Sequence, residues 1–304
     1  MRCRELIVWI GVWTASSAPL HAQCTPGDLG AQLDQLMDDK AIEGTQVSAL
    51  VANIETGKTV WSRDPDRPLN PASTQKLLTL LAVLDALGPS HKLKTRIEAD
   101  GKIVDGVLEG DLYIVGAGDP ALEFPRWRKL VEDTYIYGIH RITGNIVIDN
   151  SLLEPTSIPG WTGGHESVQG ALYEAPISAL NINYNSLGIL ISPGANVGDS
   201  VNARLEIPTS AATITNQATT TRRGKTQLQI HRQQKGIQTE LVLTGTMSSA
   251  ANTRWMYRSL ASPEDYAGVS FREIYMEMGG RLEGELRTGV TPKGTQMVAA
   301  SLSP

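Results

Sequence analysis

Polar and apolar positions alternate with three textures along the chain. Leu29, Leu33, Leu36 and Met37 recur at helical spacing, so Asp28–Asp39 is read as an amphipathic helix. Val47–Asn53 and Thr59–Ser62 are rich in β-formers and flank Glu55-Thr56-Gly57-Lys58, which predicts a hairpin. After Pro65, Pro68 and Pro71 comes a long apolar run, Leu77 to Leu87. Asn70 is a good N-cap and Pro71 suits a first helical position, so a helix is expected from there to the stop at Gly88-Pro89. Its apolar positions fall on most sides, which predicts burial.

From His91 the texture changes to short β-like stretches between glycine turns. One helix is expected over Glu123–Tyr137 and another over Ser270–Met278, ahead of Gly279-Gly280. Gly160–Gly170 reads as a glycine-rich loop and the threonine-rich Thr209–Thr221 as a connection. "ALNINYNSLGILISPG" and "KTQLQIHRQQKGIQTELVLTG" read as β-structure. No repeat of domain-forming period is present.

The first residues change this picture. Arg2 and Arg4 precede an apolar stretch from Leu6 to Trp13 and small residues up to Ala22, the layout of a secretory signal cleaved after about Ala22. Export to the periplasm follows as the expectation. Of the two cysteines, Cys3 would leave with the signal, so Cys24 has no partner for an internal disulfide. No later stretch is long and apolar enough to predict a membrane span. The chain has 304 residues, 41% hydrophobic and 19% charged, with a net charge of −5 and no basic cluster of the kind nucleic acids require. His91, His140, His165 and His231 lack metal-ligand spacing, and Gly116–Pro120 lacks the remainder of a phosphate-binding loop. No cofactor is expected.

Chemistry enters at Ser73 and Lys76. Positions three apart share a helical face, so hydroxyl and amine become neighbours. A serine needs a base to act as a nucleophile, and a lysine against an apolar wall can serve once burial disfavours its ammonium form. Roughly 0.7 Ser-x-x-Lys matches arise by chance in a chain of this composition, so spacing alone leaves an ordinary helix start open.

The stretch "LVANIETGKTVWSRDPDRPLNPASTQKLLTLLAVLDALGP" resembles the nucleophile segment of the D-alanyl-D-alanine carboxypeptidase/endopeptidase family, the class C low-molecular-mass penicillin-binding proteins of the penicillin-binding-protein 4 type. The resemblance continues in order through "GVLEGDLYIVGAGDPAL", "ITGNIVIDNSLL", "APISALNINYNSLGILISPG" and "GVTPKGTQMVAASLSP". It implies an α/β (α+β) fold, a partial serine transpeptidase/β-lactamase-like core carrying a large β-rich insertion. Residues 1–22 would be the signal, 23–89 the first part of the core, 90–284 the insertion, and 285–304 the start of a return to the core. It also implies acyl-enzyme cleavage of peptidoglycan stem peptides with Ser73 as nucleophile and Lys76 as base, and acylation by β-lactam antibiotics. Asp149 in "IVIDNS" matches the acidic residue that contacts the stem's diamino-acid side chain; a strand-end turn aspartate is the other reading.

The family's Ser-x-Asn and Lys-Thr-Gly motifs lie beyond the matching segment, so the chain reads as truncated before them. Ser200-Val201-Asn202, Arg287-Thr288-Gly289 and Lys293-Gly294-Thr295 are near-matches in the wrong context. The helix at Leu77–Leu87 would then keep part of its apolar face uncovered. A non-catalytic peptidoglycan- or partner-binding protein is the alternative. A class A β-lactamase is disfavoured, because no Glu-x-x-Leu-Asn loop occurs.

Overall fold

The computed structural model describes residues 29–153, Leu172 and residues 175–304. The expected signal, both cysteines and the glycine-rich loop at Gly160–Gly170 lie outside the described residues. The described residues through Gly88 form one compact unit, and those from Pro89 to Pro304 form another. No helix among the described residues is long and apolar enough to cross a membrane.

The first unit begins with α1 (Leu29–Met37) and a hairpin of β1 (Ala49–Ala52) and β2 (Thr59–Arg63). The Asn53 side chain accepts from Thr56 N at 2.8 Å and closes the turn, as an Asx residue does. Trp61 Nε1 donates to Asp34 Oδ1 at 2.9 Å and ties the hairpin to α1. The apolar run forms α2 (Gln75–Leu87), preceded by a 3₁₀ turn at Ala72–Thr74. Gly88, at φ 75°, ends it by donating to Leu84 O at 2.9 Å.

Two expectations are corrected there. Asn70 does not cap the α-helix: its Oδ1 accepts from Ala72 N at 2.9 Å just before a 3₁₀ turn whose N-cap position is Pro71, and the α-helix begins five residues beyond Asn70. The burial expected from apolar composition is also absent, beyond the partly uncovered face expected from the missing motifs: α2 has no buried residue, and Leu77 is 69% exposed. Apolar composition predicts burial only where another element covers the helix, and no element among the described residues of this unit does so.

The second unit is built on a seven-stranded mixed sheet. β3 (Lys94–Val104) and β4 (Val107–Val115) form its central hairpin. β5 (Arg141–Ile142) and β6 (Ile146–Asp149) both run parallel to β4. The hairpin contains facing glycines, Gly101 and Gly110; a Cβ on Gly110 would lie 1.9 Å from Asp100 O. α3 (Phe124–Ile136) follows β4 and packs against the second long helix of this unit. Their contact is aromatic: Trp127 meets Phe271 edge-on at 6.0 Å and donates from Nε1 to Ser270 Oγ at 3.0 Å.

β7 (Ser186–Ser192) and β8 (Asn202–Leu205) belong to a second sheet. β9 (Ala212–Asn216) and β10 (Thr219–Thr221) replace the expected threonine-rich connection. Both pair parallel with β12 (Gln238–Ser248), which also forms a long hairpin with β11 (Gln227–Lys235). β-Branched threonine suits such half-buried strands, and composition alone concealed that. β13 (Arg254–Ser259) then returns to the β7 edge.

α4 (Pro263–Glu277) starts seven residues before the expected Ser270. Ser262 Oγ accepts from Asp265 N at 3.3 Å, with Pro263 in the first turn. The last strands complete the first sheet. β14 (Arg281–Leu282) pairs with β5, β15 (Leu286–Thr288) with β6, and β16 (Gln296–Leu302) with β3. Residues 286–288 and 296–302 are thus strands of the second unit's sheet.

Candidate active site

Ser73 sits in the middle of the 3₁₀ turn and Lys76 in the first turn of α2. Lys76 Nζ donates to Ser73 Oγ at 3.4 Å. The local sequence produces this placement. Asn70 holds Ala72 N, and Thr74 N donates to Pro71 O at 3.0 Å, so the chain turns sharply just before the helix. Ala72, beside the serine, is at φ 45°, a left-handed conformation that costs a non-glycine residue about 1–2 kcal/mol.

A base that abstracts the serine proton works at about 2.6–3.2 Å, and such contacts are often looser before substrate binds. In this contact the lysine is the donor; catalysis needs the reverse sense, with the hydroxyl donating to a neutral amine. Ser73 and Lys76 are both exposed, so Lys76 does not stand against the apolar wall expected for it. Free N–H groups at the helix start favour negative charge nearby.

Asp149 is the last residue of β6 and is 4% exposed. Its Oδ1 accepts from Ser151 N at 3.0 Å; its Oδ2 accepts from Thr291 N at 2.7 Å and from the Thr291 hydroxyl. Burial pushes this carboxyl up, but the hydrogen bonds from Ser151 and Thr291 outweigh it and hold the group below its ordinary value. Both oxygens are therefore engaged within the fold, the geometry of a strand-end turn aspartate. Asp149 also lines a cleft of about 480 Å³, where Lys94, Arg96, Glu98 and Thr291 join it. The cleft opens beyond Val115 and Asp149, the carboxyl ends of parallel strands β4 and β6, where ligands of such sheets bind.

Lys94, Arg96 and Glu98 went unnoticed in the sequence, although charges at alternate strand positions were the available signal. Arg96 Nε donates to Glu98 Oε1 at 2.6 Å. Burial raises the Glu98 carboxyl, and hydrogen bonds from Thr295 and Arg96, with the Arg96 charge, bring it below its ordinary value.

The near-match motifs have structural roles. Asn202 Nδ2 donates to Pro193 O at 2.8 Å, and Val201 is buried. Arg287 forms an ion pair with Asp111 across the sheet. Gly116–Pro120 leads into another such pair: Arg126 Nη2 lies 2.9 Å from Asp119 Oδ2, whose side chain is fully buried. Among the described residues no group of three or more His, Cys, Asp or Glu could hold a metal ion.

The fold and sequence have known relatives. A crystal structure of penicillin binding protein 4 (dacB) from Haemophilus influenzae superimposes with a TM-score of 0.72 at 21% identity, over 86% of this chain and 57% of that one. The same protein complexed with a β-lactam gives 0.66 over 86% and 55%, again at 21% identity. These likenesses show a shared mixed α/β fold with β-rich antiparallel sheets. In sequence, the chain is 26% identical over 276 residues to a D-alanyl-D-alanine carboxypeptidase of Actinomadura sp. (strain R39), covering 88% of this chain and 50% of that protein. It is 26% identical over 193 residues to D-alanyl-D-alanine carboxypeptidase DacB of H. influenzae, covering 63% and 38%. The chain thus spans half or less of the length of these curated relatives. Residues 29–304 match the family model described as D-Ala-D-Ala carboxypeptidase 3 (S13), and the chain belongs to that family.

Proposed function

We propose that the chain carries the nucleophile of an exported serine-type D-Ala-D-Ala carboxypeptidase/endopeptidase acting on peptidoglycan stem peptides in the periplasm. The observation that carries this reading is the contact of Ser73 Oγ with Lys76 Nζ at 3.4 Å, at the head of a helix within a family-matched chain. In the proposed reaction neutral Lys76 takes the Ser73 hydroxyl proton as Oγ bonds to the carbonyl carbon of the penultimate D-Ala. The C–N bond to the terminal D-Ala breaks, and the lysine returns the proton to the leaving amine. Water then attacks the serine ester, giving its proton to the lysine; the ester C–O bond breaks and Ser73 regains its hydroxyl proton. A β-lactam enters the first half of this sequence, its ring amide standing in for the scissile one. No step needs a metal or cofactor. Asp149 would contact the stem's side chain only by sharing oxygens already engaged with Ser151 and Thr291.

Fluorescent penicillin tests the reading. Covalent label on the wild-type chain, absent from Ser73→Ala and strongly reduced in Lys76→Ala, is the expected result. No label on the wild type, or equal label on Ser73→Ala, overturns it. For export, a periplasmic protein whose first residue is Gln23 is expected, and retention of residues 1–22 in the cytoplasm counts against it.

A further inference from the structure

The β-rich part of the second unit contains another cavity, of about 450 Å³, which shares no lining residue with the cleft at Asp149. Its floor is Gly188 on β7, where a Cβ would lie 2.2 Å from Glu206 Oε2 and 3.0 Å from the Tyr257 ring. The missing side chain keeps this space open and lets a carboxylate and an aromatic ring meet over the strand. Glu123, at the start of α3, adds a second carboxylate to the lining. Neither glutamate side chain forms a hydrogen bond or ion pair among the described residues. Among the described residues no lysine or arginine lines the cavity.

The remaining wall is aromatic and aliphatic, with Phe124, Tyr184 and Ile207. Tyr184 is set there by the backbone. It is at φ 57°, between Asn183 at 49° and Asn185 at 51°. This left-handed turn is held by Phe124 N donating to Asn183 Oδ1 at 2.7 Å and Asn185 Nδ2 donating to Pro176 O at 3.0 Å.

Two uncompensated carboxylates disfavour an anion, and rings beside them favour a cation through their negative faces. Aliphatic surface in the same cavity suits an alkyl stem. We propose that this cavity binds an aminoalkyl group, the ammonium held by Glu123 and Glu206 and the stem laid against Phe124, Ile207 and the Tyr257 ring. The ligand in view is a lysine-like side chain carried on a peptide. This inference stands apart from the acyl-enzyme reading, since it uses neither Ser73 nor Lys76.

Calorimetric titration of the full chain with Nα-acetyl-lysine methylamide tests it, with the isosteric but neutral norleucine derivative as control. The lysine derivative is expected to bind at least about tenfold more tightly than the norleucine one, an advantage that added salt reduces. Glu206→Gln and Glu123→Gln are each expected to lose about tenfold in affinity, with thermal midpoints unchanged because both side chains are exposed. Tighter binding of cadaverine than of the lysine derivative also supports the ammonium chemistry and makes a free diamine the source. Equal binding of the two amino-acid derivatives, no binding of either by about 10 mM, or unchanged affinity in a folded Glu206→Gln overturns the proposal.

Discussion

Replacing Asp149 by asparagine separates its place in the fold from any contact with substrate. The carboxylate accepts from Ser151 N on one oxygen and from Thr291 N and hydroxyl on the other. Asparagine keeps one acceptor oxygen but puts an NH₂ where the second stood. Either the Ser151 or the Thr291 backbone N–H then faces a donor. A buried donor without a partner costs about 1–3 kcal/mol, and changing a charged acceptor to a neutral one removes about 1 kcal/mol more from each surviving bond. The sum is about 3 kcal/mol, visible as a lower urea midpoint with unchanged slope. The effect depends on pH with a definite sign. Because the folded carboxyl is held below its ordinary value of 3.8, its contribution is fully present above that pH and is lost as pH falls through the lower folded value. The gap between wild type and Asp149→Asn should therefore close below about pH 4. A destabilisation under about 0.5 kcal/mol at neutral pH, or a gap that persists into strong acid, would refute the hydrogen-bond account.

Three further outcomes are expected. Arg126→Met leaves the fully buried Asp119 carboxylate without its cation and removes the donor to Ser301 Oγ, so urea unfolding should show a loss of about 3 kcal/mol; a change under about 1 kcal/mol would show that the pair contributes little. Ala72→Gly relieves a left-handed backbone at φ 45°, offset by the greater freedom of unfolded glycine, and should slow hydrogen exchange in α2 by about 0.5 kcal/mol of net stabilisation; faster exchange contradicts the strain. Gly110→Ala sets a Cβ against Asp100 O and should cost at least about 2 kcal/mol in a urea melt, whereas a conservative exposed substitution such as Lys102→Arg on the same hairpin should be near neutral.

What could be read from the sequence was local. The Ser73–Lys76 spacing foretold a contact that the structure shows, because residues three apart in a helical turn meet whatever surrounds them. The long helix was legible from Leu77–Leu87; apolar composition alone pointed to burial, while the motifs missing after it pointed to a partly uncovered face, and the exposure exceeds that because burial depends on a covering element. Ser262-Pro263 was a readable helix start; the polar first turn of α4 masked it until its apolar periodicity became strong. Asp149 was correctly placed at a strand end, but its partner Thr291 lies 142 residues later, and no local signal joins them. The same holds for Arg126, whose carbonyl and hydroxyl partners on β16 are about as distant. Site chemistry made by one turn was visible, and site chemistry made by a sheet was not.

The pairing of β16 with β3 also sets an order of events. Leu302 lies opposite Lys94, so a ribosome must add some two hundred residues before β3 acquires its second neighbour. Through that interval the nascent hairpin carries a raw, unzipped border, the kind that recruits other chains. Lys94, Arg96 and Glu98 stud that border with charge. On this view the charged row on β3 has two tenures: it guards an open edge while the chain is being made, and afterwards Arg96 and Glu98 line a cleft.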